Sequence, residues 1–186
     1  HRDLHSFPTR RSSDLLNSGG LIVNYLCSSA CAHCVYRSSP RRERGYITPE
    51  MAAKAFRTAR RLGCRGMHIG GGEPFLDLPG LLAVLQTAAA TGMPIDYIET
   101  NSSWYRDADQ ADGVLRRIRE VGGTRLLVSL DPFHNAYIPL AKVRGVMAAC
   151  RRVGIEFFVW RAEFLEEIAA FDRSEEHTSE LQSPNT

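Results

Sequence analysis

The feature that most constrains this chain is a pattern repeated along most of its length: a short apolar run, then a stretch with helical spacing. The apolar runs are Leu21–Leu26, Gly66–Ile69, Ile95–Ile98, Leu126–Leu130 and Ile155–Trp160. Runs of this length suit buried strands, and the longer helical stretches between them suit the crossovers that parallel strands require. Thr48-Pro49 and Asp107 or Asp109 supply helix starts, and Gly63, Gly92 and Gly154 supply stops. Pro79 to Ala90 reads as the second helix. Val114, Leu115, Ile118 and Val121 keep to one helical face, as do Leu140, Val143, Val146, Met147, Cys150 and Val153; a last helix is expected from near Ala162. The expected fold is α/β, a parallel sheet, barrel-like or doubly wound, with its helices outside. Either form puts its binding groups on the loops that leave the carboxyl ends of the strands.

The unusual residues of the chain fall on those loops. After the first run comes Cys27-Ser28-Ser29-Ala30-Cys31-Ala32-His33-Cys34, and after the second Gly70-Gly71-Gly72-Glu73-Pro74. Glu99-Thr100-Asn101-Ser102 follows the third, and Ser129-Leu130-Asp131-Pro132-Phe133-His134 ends the fourth. Three thiols within eight residues can turn toward one small object. An iron–sulfur cluster fits, because thiolates are its usual ligands and three of them leave one iron of four open. Structural zinc is the main alternative, but it takes four ligands, usually as two separated pairs, and no second pair follows. Disulfides conflict with the odd count of five cysteines, and ordinary buried thiols are the blandest reading. The three glycines permit a close ligand approach that a Cβ would block, and the carboxylate after them suits a cationic group. A plain tight turn is the alternative there; the spacing is not that of a phosphate loop.

The pattern C-x-x-x-C-x-aromatic-C, with His33 in the aromatic slot, resembles the signature of the radical S-adenosylmethionine (radical SAM) superfamily. Gly71-Gly72-Glu73 resembles the GGE segment that follows the second strand in that superfamily. Thr100-Asn101 and Ser129-Leu130-Asp131 resemble its Thr-Asn and Ser-x-Asp at the third and fourth strands. The resemblance implies a partial parallel β/α barrel, with five of an expected six β/α units present. It implies that Cys27, Cys31 and Cys34 hold a [4Fe–4S] cluster whose fourth iron takes the amino and carboxylate groups of S-adenosylmethionine. It further implies that His33, Gly71, Gly72, Glu73, Thr100, Asn101, Ser129 and Asp131 bind the cofactor, with Glu73 on the methionyl amino group. Reductive cleavage would then give a 5′-deoxyadenosyl radical that abstracts hydrogen from a substrate. An electron donor such as flavodoxin or ferredoxin and a cytoplasmic location are implied as well.

Substrate identity is not readable: peptide or protein modification, cofactor biosynthesis and activation of a partner enzyme all fit. No side chain is assigned as a general acid or base, since the radical chemistry belongs to the cofactor. Pro132 departs from the glycine that often follows Ser-x-Asp, and it stiffens the loop carrying Phe133, His134 and Asn135. A reading of another class is a non-catalytic zinc- or iron–sulfur-binding module, which would use the cysteines and ignore Gly71–Glu73.

Charge and composition narrow the partners. With 23 basic and 21 acidic residues, net charge +2, the chain has no field to steer a polyanion, so no nucleic acid is expected. Lys54 and Lys142 are its lysines, and that arginine bias is the mark of GC-rich coding. Arg37 and Arg41-Arg42-Glu43-Arg44 read as a solvated loop. No apolar run approaches the ~18 residues of a membrane span. His68 reads as a packed core histidine, Cys64 and Cys150 as buried thiols, and Trp160 and Arg161 as strand-end residues. His1–Leu15 and Arg173–Thr186 lack hydrophobic period and resemble translated sequencing-adapter DNA, two ordinary polar tails being the alternative. The domain is therefore expected over residues 16–172, incomplete at its carboxyl end, between artefactual or disordered tails at 1–15 and 173–186. Its fifth strand would then be an edge that invites association.

Overall fold

The computed structural model describes residues 16–159. Trp160, Arg161, the helix expected near Ala162 and both tails lie outside the described residues. In chain order the elements are β1 (Ser18–Ile22), α1 (Pro49–Arg61), β2 (Gly66–Gly70), α2 (Leu78–Thr91), β3 (Ile95–Thr100), α3 (Ala108–Glu120), β4 (Arg125–Val128), α4 (Pro132–Asn135), α5 (Leu140–Val153) and β5 (Glu156–Val159). The strands form one parallel sheet in the order β1-β2-β3-β4-β5, and the helices supply its crossovers. This is the α/β architecture that the repeated pattern predicts. Phe56, Leu81, Leu85, Leu115 and Ile118 from the helices and Ile69, Ile98 and Leu126 from the strands are fully buried in one continuous core. Among the described residues no helix is long and apolar enough to cross a membrane.

The helix starts follow local chemistry. Thr48 accepts from Met51 N at 3.3 Å with Pro49 behind it, and Asp107 accepts from Gln110 N at 2.8 Å. Each side-chain oxygen satisfies an amide that the helix leaves unpaired.

Two differences from the sequence reading matter for the site. β1 starts and ends earlier than the apolar run Leu21–Leu26, because Gly19 and Gly20 pair with Met67 and His68 without contributing apolar side chains. The His68 ring occupies the space where a Cβ on Gly20 would stand. From Asn24 onward the run leaves the sheet and binds the glycine loop instead. Secondly, single helical turns follow both rim acids: a 3₁₀ turn at Pro74–Asp77 after Glu73, and α4 after Asp131. An acid followed by proline is a helix-start signal.

β3 carries a bulge. Met67 aligns with Ile95 but Ile69 aligns with Ile98, so three steps on β3 oppose two on β2. Asp96 and Tyr97 consequently share one face, Asp96 against Gly66 and Tyr97 stacked on His68 with ring centroids 5.0 Å apart. Ile98 then returns to the core, Glu99 points to the opposite face, and Thr100 is buried.

Candidate active site

The carboxyl ends of β1 to β4 meet in a cavity of about 330 Å³. Cys27, Cys31, His33, Cys34, Gly71, Gly72, Thr100, Asn101, Ser129 and Asp131 all line it, as do Glu99, Phe133 and His134. Of the residues expected from sequence, Glu73 alone does not.

The cysteine loop is held on two sides. Cys27 N donates to Ser39 O at 3.3 Å, and Cys34 N donates to Cys31 O at 3.1 Å in a turn that brings those two thiols round. Cys27 Sγ accepts from Ser29 N at 3.4 Å and from Asn101 Nδ2 at 3.3 Å. Burial pushes the Cys27 thiol up; it pushes Cys31 up to about 11, aided by the negative charge of Cys27, Asp131 and Cys34. Crowded thiols that resist ionisation are the setting in which a bound cation supplies the missing positive charge. Among the described residues the group close enough to share a single metal ion is His33, Asp131 and His134, not the cysteine trio. Thiols on one cavity wall that do not converge on one point suit a polynuclear cluster better than a lone zinc. Cys64 and Cys150 are buried elsewhere, Cys64 Sγ donating to Gly66 O at 3.1 Å, as expected of structural thiols.

The glycine loop is threaded against the continuation of β1. Gly72 N donates to Asn24 O at 3.0 Å and to Asn24 Oδ1 at 3.1 Å, while Asn24 Nδ2 donates to Glu73 O at 3.1 Å. Gly71 sits at φ 141, and a Cβ there would lie 2.5 Å from Asn24 O; one on Gly72 would collide with Leu26 O. Glycine is required at both positions.

Glu73 turns the other way. It is 0% exposed, and its carboxylate accepts from Phe75 N at 3.2 Å, Thr100 Oγ1 at 3.0 Å and Asn101 N at 2.6 Å. Burial pushes its carboxyl up to about 7, against the pull of those three donors and the charge of His134. The side chain expected to meet the cofactor therefore joins the second loop to the third. Thr100 is committed in the same way: its hydroxyl donates to Glu73 and accepts from Ser102 N at 3.1 Å and Trp104 Nε1 at 2.9 Å. Asn101 Nδ2 reaches Ser28 Oγ and Ser29 Oγ besides Cys27 Sγ, and so fastens the third loop to the cysteine loop.

On the fourth loop Asp131, 6% exposed, accepts from Phe133 N at 2.9 Å and His134 N at 3.0 Å through Oδ1. Its Oδ2 lies 2.6 Å from His134 Nδ1. Burial raises the Asp131 carboxyl, but the hydrogen bond and charge of His134 outweigh it and leave the group below the usual range. His33 lies against Phe133 at 4.7 Å and edge-on to His134 at 5.1 Å.

Asn24 belongs to this site but is absent from the candidates read from sequence, while Glu99 and His134, which the sequence puts on the rim loops, have no cofactor role assigned there. Asn24 had a local signal, a lone amide inside an apolar run where strands disfavour it. Glu99 and His134 stood on rim loops, but their direction depends on the bulge and on the turn of α4.

The family model described as the Radical SAM superfamily matches residues 21–160. In sequence, the GTP 3′,8-cyclase of Parasynechococcus marenigrum (strain WH8102) is 28% identical over 70% of this chain, and that of Synechococcus sp. (strain CC9605) is 29% identical over 68%. The matches cover 42% and 37% of those proteins, so the chain spans less than half the length of the curated relatives it matches. In structure, anSMEcpe with bound AdoMet matches with a TM-score of 0.60 and 16% identity, over 87% of this chain and 49% of its own. HydG, a maturase of the [FeFe]-hydrogenase, matches at 0.60 and 15%, over 87% and 39%, and BtrN in complex with AdoMet and 2-DOIA at 0.56 and 18%, over 78% and 56%. At these identities the structural likeness establishes the fold.

Proposed function

Because the chain belongs to the radical SAM superfamily, whose enzymes use a [4Fe–4S] cluster and S-adenosylmethionine, we propose that its cavity holds both and that it initiates radical chemistry on a substrate. The observation that carries this is the placement of Cys27, Cys31 and Cys34 on one wall of a cavity whose other walls are the glycine, third and fourth loops. When bound, the cluster and S-adenosylmethionine supply one-electron cleavage of a carbon–sulfur bond and a 5′-deoxyadenosyl radical that abstracts hydrogen.

The chain's own residues do the holding. The three cysteines bind iron, and Asn101 Nδ2 donates to Cys27 Sγ, the kind of contact that tunes a cluster's potential. Gly71 and Gly72 present bare backbone for close approach of the methionyl group, and Glu73 acts as a positioning residue that locks this loop to Thr100 and Asn101. His33 and Ser129 contact the cofactor at the rim. A reductant such as flavodoxin or ferredoxin supplies the electron. The segment shared with the GTP 3′,8-cyclases is under half of their length, and it carries the cofactor site; the substrate is left to peptide or protein modification or cofactor biosynthesis.

Anaerobic reconstitution tests this. A brown protein with about four irons and four sulfides per chain is expected, lost in Cys27→Ala, Cys31→Ala or Cys34→Ala and kept in Cys64→Ala and Cys150→Ala. A colourless protein with stoichiometric zinc would overturn the reading in favour of a non-catalytic metal module.

A further inference from the structure

We propose that His134, oriented by Asp131, is the proton-accepting group of the cavity, taking a hydrogen bond or a proton from an O–H or N–H of the molecule bound there. The geometry begins with the backbone. Phe133 N and His134 N, 2.9 and 3.0 Å away, fix Asp131 Oδ1 at the start of α4. Oδ2 is thereby aimed at His134 Nδ1, 2.6 Å away. An ionised carboxylate only accepts, so the proton of the neutral ring sits on Nδ1 and the lone pair on Nε2. His134 lines the cavity with its side chain 23% exposed, while the carboxylate behind it is 8% exposed. A buried carboxylate behind an imidazole is the arrangement that fixes the tautomer of a general base and stabilises the imidazolium when it forms.

His33 Nε2 lies 3.8 Å from the same Oδ2, beyond hydrogen-bonding distance, so Asp131 serves His134. The three groups stand close enough for one metal ion, but Asp131 Oδ2 and His134 Nδ1 are already used on each other. The step moves one proton: the donor's O–H or N–H bond breaks, Nε2–H forms, the donor keeps the electron pair, and nothing is oxidised or reduced. The donor is a hydroxyl or amine, either on the substrate or on the cofactor's ribose; only this choice of occupant rests on the function proposed above.

The test uses the 186-residue chain labelled with 15N-histidine, at slightly alkaline pH. In the wild type His134 should show a protonated Nδ1 and a bare Nε2, and diethyl pyrocarbonate should acylate it. Asp131→Asn keeps the backbone cap through Oδ1 but points an amide N–H at Nδ1. The proton should move to Nε2 and acylation should slow by on the order of tenfold or more. A protonated Nε2 in the wild type, or an unchanged tautomer in Asp131→Asn, overturns the proposal. S-adenosylmethionine added to the reconstituted protein identifies the donor: protection of His134 from acylation assigns it to the cofactor, and unchanged acylation assigns it to the substrate. The tautomer is read without a cluster, so a failed reconstitution and a failed dyad give different results.

Discussion

Two rim loops of this molecule use almost the same words and say different things. Glu73-Pro74-Phe75 after β2 and Asp131-Pro132-Phe133 after β4 are both acid-proline-phenylalanine, and in both the acid caps a single helical turn. Both carboxylates are at least nine-tenths buried. Glu73 spends its remaining capacity on Thr100 Oγ1 and Asn101 N, groups of the neighbouring loop, so it closes inward. Asp131 spends its second oxygen on an imidazole that faces the cavity, so it acts outward. The extra methylene of Glu73 lets its carboxylate cap its own turn through Phe75 N and still reach the next loop, whereas the shorter Asp131 stays with its own helix. One loop is thereby a brace and the other a handle.

The largest effect that separates them is on stability. Glu73→Ala strands three buried donors and should cost about 3 kcal/mol or more, lowering the melting temperature by roughly 10 °C. Asp131→Ala, which loses a cap and one ring hydrogen bond, should cost about 1–2 kcal/mol. Thermal unfolding of the two variants decides it, and the reverse ranking would break the comparison.

A middle-sized effect comes from pH. The Glu73 carboxyl is raised to about 7 from an ordinary 4.5, so its contribution to stability is full below its unfolded value and lost as pH rises through about 7. The melting temperature should fall between about pH 4.5 and 7, where the folded chain holds a proton that the unfolded chain has lost, and Glu73→Gln should flatten that slope. Asp131 has the opposite sign: held below its ordinary 3.8, it stabilises above that value and loses the contribution as pH falls. A neutral-range slope that survives Glu73→Gln would sever it from this carboxyl. The smallest change is expected in Asp131→Asn, which keeps the cap through Oδ1 and should cost less than about 1 kcal/mol, leaving the histidine tautomer as its main signature.

Much of this was legible in the sequence because much of it is local. Strand and helix periods, the capping residues Thr48 and Asp107, the glycines at 71 and 72 and the spacing of the cysteines all act within a few residues. What escaped was set at a distance. The partners of Glu73 lie 27 and 28 positions away on β3, and no pattern around Glu73 says which way its carboxylate will turn. The start of β1 leaves no apolar trace, because Ser18, Gly19 and Gly20 pair through the backbone without apolar side chains. The turn of α4 was available in Asp131-Pro132, an acid before a proline.

The bulge on β3 has a consequence for how this gene can change. It puts Asp96 and Tyr97 on the same face, and so sets the phase of every residue after them: Ile98 inward, Glu99 to the cavity, Thr100 to Glu73. A substitution at either position would leave that phase alone. Deleting one codon of the pair would leave two steps of β3 opposite two of β2 and restore plain alternation with Ile98 still inward, Glu99 at the cavity and Thr100 on Glu73, whereas deleting a codon between Ile98 and Thr100 would shift the residues after it to the other face and break the Thr100–Glu73 brace. The bulge is thus the one place in this strand with a residue to spare, and length variants among natural homologues should fall at positions 96 and 97 rather than between 98 and 100.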